Sequence, residues 1–102
     1  MGTSKRYARV VDAAMDARVS EQIMRSGVPQ SLSDEERQVG EVPLTQPPRA
    51  MPVRAWVRYP AGPLLVDAEV VAWTPRAVAL RWRGPDESVH RAWVWSGAVE
   101  GQ

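Results

Sequence analysis

Leu64-Leu65-Val66-Asp67-Ala68-Glu69-Val70-Val71-Ala72-Trp73 is the stretch on which the fold turns. Leu64, Val66, Ala68 and Val70 alternate with Asp67 and Glu69, the two-residue period of a strand with one apolar and one wet face. After Val70 the parity inverts, and Val71 and Trp73 carry the apolar character. A bulge or sharp bend near Val70-Val71 would turn both sets inward.

The same period extends on either side. Upstream, Val53, Ala55, Val57 and Tyr59 share one face of a strand, with Arg54, Trp56 and Arg58 on the other, and Pro60-Ala61-Gly62-Pro63 forms a turn. Downstream of the Thr74-Pro75-Arg76 turn, Val78, Leu80 and Trp82 alternate with Ala79, Arg81 and Arg83. A turn at Gly84-Pro85-Asp86-Glu87 leads to a strand from Val89 to Trp95, and Ser96-Gly97 leads into a short piece at Ala98-Val99. Four or five short antiparallel strands joined by tight turns, one of them long and bent, predict a small SH3-like β-barrel over residues 53–102. Closure would remove the edges that invite aggregation. Five tryptophans supply apolar surface that so small a core otherwise lacks.

Ahead of the strands the period is helical. Tyr7, Val10, Val11, Ala14, Met15, Val19 and Ile23 form a stripe from about Ser4 to Arg25, and Gly27 and Pro29 supply the stop signals. Ser33 and Glu36 have capping-box spacing for a short second helix ending by Gly40. Pro43, Pro47, Pro48 and Pro52 mark residues 41–52 as a stiff linker. The predicted architecture is therefore α+β: a helical arm (1–40), a proline-rich linker (41–52) and the barrel (53–102). The helix stripe can cover the chain's own barrel or serve self-association or a protein partner.

Composition excludes much. With no cysteine and one histidine, His90, the 102-residue chain has neither disulfides nor the ligands of a Cys/His zinc site. No cofactor is expected, because Gly62, Gly84, Gly97 and Gly101 are isolated and form no phosphate loop. No window reaches the length of a membrane span, and the charged N-terminus lacks the apolar core of a signal peptide, so the expected location is cytoplasmic. Lys5 is the sole lysine among 13 basic residues, and Phe and Asn are absent, which is the codon signature of a GC-rich genome.

Catalysis finds no motif. Asp67 and Glu69 share a strand face but alternate with apolar residues as a solvated face does. His90 has only Ser88 and Ser96 nearby, in turns without a nucleophile-elbow context. An enzyme is not expected. The functional lead is a face bearing Arg54, Trp56 and Arg58 on the first strand and Arg81 and Arg83 on the third. An exposed Trp56 between guanidinium groups could stack on a base while the cations pair with phosphates of DNA or RNA. Alternatively Trp56 packs beneath the N-terminal helix and the arginines pair with Asp67 and Glu69 across the strands. A third possibility is an aromatic cage for a cation, built from Tyr59, Trp73, Trp82, Trp93 and Trp95.

Met1-Gly2-Thr3-Ser4-Lys5-Arg6-Tyr7-Ala8, together with Ala55-Trp56-Val57, Ala72-Trp73-Thr74 and Arg91-Ala92-Trp93-Val94-Trp95, resembles short uncharacterised proteins of actinobacteria and their phages. That resemblance implies a GC-rich host and no defined activity. The helix-then-strands order ending in Trp93-Val94-Trp95-Ser96-Gly97-Ala98-Val99 more loosely resembles the Sm-like barrel. Ala68 stands where that family has a glycine, and Thr74-Pro75 where it has Asp or Asn. The family's ring assembly and RNA sites are therefore not expected here.

Overall fold

The computed structural model describes residues 17–100. Its helical part comprises α1 (residues 17–24) and α2 (Asp34–Arg37). Five strands follow: β1 (Met51–Tyr59), β2 (Gly62–Trp73), β3 (Ala77–Arg83), β4 (Val89–Trp95) and β5 (Val99–Glu100), the last preceded by a 3₁₀ turn at Ser96–Ala98. They form one antiparallel sheet in the order β4-β3-β2-β1-β5. The chain is thus α+β.

The sheet's inner face is the one the alternation predicts. Ala55, Val57 and Tyr59 of β1, Val66, Ala68 and Val70 of β2, Val78, Leu80 and Trp82 of β3, and Ala92 and Val94 of β4 form one buried cluster. The pairing of β2 with β3 slips between Val70↔Leu80 and Ala72↔Ala79, leaving Val71 as the extra residue of a bulge. The bulge restores Trp73 to the core side, where it packs on the cluster. Without it Val71 and Trp73 would both face outward.

Strands β3 and β4 coincide with the sequence reading, whereas β1 begins two residues early, because Met51 and Pro52 pair with Val70 and Glu69 rather than belonging to the linker. Proline is tolerated at the start of a strand. The rest of the linker is pinned at Thr45, which exchanges two 2.8 Å backbone hydrogen bonds with Trp73.

Much of the predicted first helix, including Tyr7, Val10, Val11, Ala14 and Met15, lies outside the described residues. Its end is informative nonetheless. Ile23 and Met24 pack on the chain's own core, and the Ser26 hydroxyl accepts the Ala61 N–H of the β1–β2 turn at 3.1 Å. Gly27 sits at φ +150°, and a Cβ there would meet Pro60 Cγ at 2.8 Å. Helix α2 has both bonds of the capping box: Glu36 N–H to Ser33 Oγ at 3.1 Å and Ser33 N–H to Glu36 Oε1 at 2.9 Å. It stops at Arg37 because Gln38 turns left-handed at φ 57°, two residues before Gly40.

Closure departs from the expected barrel. β5 is only two residues long and pairs with β1 at Arg54 and Ala55 alone. Among the described residues no ladder joins β4 to β5 or to β1, so the sheet is curled but open. Curling is forced by connectivity, since one 3₁₀ turn links β4 and β5 although they lie at opposite ends of the strand order. What crosses the resulting seam is the segment after α1. Gln30 N–H donates to Arg58 O of β1 at 2.7 Å, and Leu32 N–H donates to Trp93 O of β4 at 3.0 Å. Ser31 Oγ accepts the Trp93 N–H at 2.8 Å. We refer to residues 30–32 as the strap. Among the described residues, no helix is long and apolar enough to cross a membrane.

Candidate functional site: an aromatic groove along the seam

Because β5 covers so little of β1, outward-facing side chains of β1 and β4 approach each other across the seam. They line a groove of about 330 Å³ whose walls include Trp56 and Arg58 from β1, Pro63 from β2, Trp93 and Trp95 from β4, and Leu32 and Glu36 from the strap and α2. Trp56 is 46% exposed and Trp95 45%, while Trp82 on the inner face is 4% exposed. Large aromatics left half in water line this groove, which is unusual for a side chain with so much apolar surface to hide. Trp93 is already engaged, with the Arg37 guanidinium 4.9 Å from its ring centroid. Arg37 also pairs with Asp34, and its Nε is buried with no hydrogen-bond partner.

The arginines singled out from the sequence do not gather into one cationic face. Arg54 lies opposite Asp67 across β1 and β2 and pairs with it at 3.4 Å. Arg81 lies opposite Glu69 and holds one carboxylate oxygen with both Nε and Nη2, at 3.3 and 3.0 Å. Arg83 is 3.8 Å from Glu87 on its own turn. Strand β2 therefore sets its two carboxylates between the arginines of β1 and those of β3. Among the described residues Arg58 makes no ion pair, and it alone of these four arginines flanks the groove. The Trp56 indole N–H donates to Glu100 Oε2 at 3.2 Å.

The proposed cage residues also separate. Tyr59 and Trp82 are buried inside, ring centroids 6.4 Å apart and nearly perpendicular, whereas Trp93 and Trp95 belong to the outer groove. Sequence reasoning missed the grouping of Trp56 with Trp93 and Trp95. Odd-numbered Trp93 and Trp95 alternate with buried Ala92 and Val94, so their parity was the available signal.

A second polar feature runs from buried Tyr59 out to Ser88 and Asp86 at the surface. Tyr59 Oη is 2.5 Å from His90 Nδ1 and accepts the Trp82 indole N–H at 2.9 Å, while His90 Nε2 is 3.2 Å from Ser88 Oγ. Ser88 Oγ in turn donates to Asp86 Oδ1 at 2.6 Å. Burial pushes the Tyr59 hydroxyl above its ordinary pKa, partly offset by the Trp82 N–H. The bonds from the Ser88 side chain and backbone hold the Asp86 carboxyl below its usual range. A serine beside a histidine invites a nucleophilic reading, but the carboxylate is on the wrong partner: Asp86 accepts the serine's hydrogen bond instead of orienting the imidazole. Among the described residues no group of three or more His, Cys, Asp or Glu is placed to hold a metal ion. No family model matches the chain, and comparison with curated proteins and with solved structures yields no match either.

Proposed function

We propose that this chain is a non-enzymatic adaptor, a small SH3-like barrel that binds an extended protein segment in the groove between β1 and β4. The observation that carries this reading is the pair of half-exposed tryptophans, Trp56 and Trp95, facing one groove at the sheet's open seam. Aromatic anchors set in a concave site dominate protein recognition, and extended segments commonly dock in aromatic-lined grooves. The meander β1 to β4 and the 3₁₀ turn that returns the chain to β1 support the SH3-like assignment. The unmatched lengths of β1 and β5 explain why such a barrel would stay open along one side.

A nucleic-acid reading draws on Trp56, exposed between Arg54 and Arg58 on one strand face. It is the weaker of the two. Phosphates would have to displace Asp67, Glu69 and Glu87 from Arg54, Arg81 and Arg83, and the net charge of +1 provides little long-range attraction.

The two readings separate in one NMR titration of indole N–H signals, using a pool of random eight-residue peptides and, separately, a twelve-residue oligothymidine at low and moderate salt. Movement of the Trp56 and Trp95 signals with peptides, lost in Trp56→Ala, is the expected result. Movement with oligothymidine alone, or with neither probe, would overturn the adaptor reading.

A further inference from the structure

Tyr59 and His90 stand on the two strands that face each other across the seam without a ladder between them. Their side chains nevertheless meet inside it, and the direction of every hydrogen bond there can be assigned by elimination. An indole N–H can only donate, so Tyr59 Oη accepts from Trp82 and has its own proton to give; His90 Nδ1 is the acceptor in reach. At the other end Asp86 bears an ionised carboxylate, which only accepts, so the Ser88 hydroxyl proton goes to it. Ser88 Oγ is then free to receive a proton from His90 Nε2. All donors and acceptors are matched when the imidazole is neutral and carries its proton on Nε2.

A second proton would have to sit on Nδ1, pointing at the oxygen that now donates to it. Tyr59 could turn acceptor for two donors, but its own hydroxyl proton would be stranded in a side chain only 2% exposed. We infer that the Tyr59–His90 pair is a proton-sensitive clasp on the seam, closed by the neutral imidazole and released when the imidazole is protonated.

The surroundings of the ring fit this assignment. β1 and β3 present Tyr59 and Trp82, with ring centroids 5.8 and 6.0 Å from that of His90. From the β3–β4 turn, Asp86 reaches the ring only through Ser88, and Arg25 beyond α1 exerts the weakest of the pulls on that carboxylate. Arg83 and Glu87 face each other on the same turn. Among the described residues no carboxylate bonds the ring directly, and the Asp86 charge acts on it only from beyond Ser88, on the side away from the Tyr59 bond. Nor can the ring easily swing away, for even a Cβ at Gly84 would lie 2.6 Å from Nε2.

The clasp holds the same seam as the strap, so its release lets β1 and β4 part and weakens the strap's bonds at Gln30 and Leu32. This goes beyond the groove's proposed role and needs no ligand to be tested. In the full chain, nitrogen NMR of His90 should find the Nε2–H tautomer at neutral pH. Amide exchange at Gln30 and Leu32, corrected for intrinsic rates, should accelerate about tenfold, the effect of one stranded buried hydroxyl, on acidification from roughly pH 8 to 5. Exchange in the β1–β2 ladder should not follow. In His90→Gln the acid step at the strap should vanish. The Nδ1–H tautomer, pH-independent strap exchange in the wild type, or an acid step that persists in His90→Gln would each overturn the clasp. The first two measurements need no variant, so a poorly folding His90→Gln leaves the test intact.

Discussion

The two edges of β1 are built differently. One is zipped to β2 along all nine residues, Met51 to Tyr59. Among the described residues the other pairs with β5 at Arg54 and Ala55 and is otherwise held by the Trp56–Glu100 bond, the strap's bond at Arg58 and the Tyr59–His90 contact. A ladder distributes its stability over many equivalent bonds and a continuous buried face. The seam instead concentrates it in a few side chains with specific donors and acceptors. The ladder side should therefore answer to volume and the seam side to hydrogen-bond chemistry, and the half-wet tryptophans collect where the ladder runs out.

The largest effect that would test this contrast belongs to Leu80, 1% exposed in the middle of the buried cluster. Leu80→Ala should lower unfolding free energy by about 2–5 kcal/mol in a urea titration, the cost of a core cavity. A loss below about 1 kcal/mol would mean that the inner face is not the principal core.

Next comes Tyr59→Phe, which keeps the ring and removes only the hydroxyl. Because it leaves the Trp82 N–H and His90 Nδ1 without their partner, we expect a loss of about 1–3 kcal/mol. The sign with pH follows from burial. The Tyr59 pKa is raised in the folded state, so its contribution is complete below the ordinary phenol value and is lost as pH rises through the folded one. Urea midpoints measured from pH 8 upward should fall at alkaline pH in the wild type, and less so in Tyr59→Phe.

Ser33→Ala should be smaller, about 0.5–2 kcal/mol by thermal unfolding, since it removes one bond of the α2 capping box next to the strap. If the strap matters as described, the same substitution should also speed amide exchange at Leu32. The smallest effect is expected at Arg54→Ala. Its ion pair with Asp67 joins side chains 62% and 89% exposed, and screening leaves a change within about 0.5 kcal/mol, checked by the same melt.

The ladder side is also the part that could be read from residue order. Strand periodicity depends on neighbours two positions apart, so β3 and β4, the inner faces and the Val71 bulge follow from local pattern. The Ser33–Glu36 box is likewise a local signal. The seam is not local. Gln30, Ser31 and Leu32 show no periodicity, and the link from Ser31 to Trp93 spans 62 positions. The short length of β5, which leaves the sheet open, has no signature in Ala98-Val99-Glu100. For the arginine face, the side-chain parity of Arg54, Trp56 and Arg58 was legible, as were Asp67 and Glu69 as alternative partners, but which arginine each would meet depended on register. Only pairing shows that Asp67 falls opposite Arg54 and Glu69 opposite Arg81.

The strap also has a consequence for biosynthesis. Ser31 leaves the ribosome well before its partner Trp93, 62 positions later, so at about 5–20 residues per second the seam waits roughly 3–12 s for its second side. During that interval β1, β2 and β3 can already pair, because each follows its neighbour in sequence order. The nascent chain would then carry a three-stranded sheet whose β3 edge, with Leu80 and Trp82 beside it, lacks β4. That unfinished edge is where a chaperone, or a second nascent copy, would find this protein most receptive.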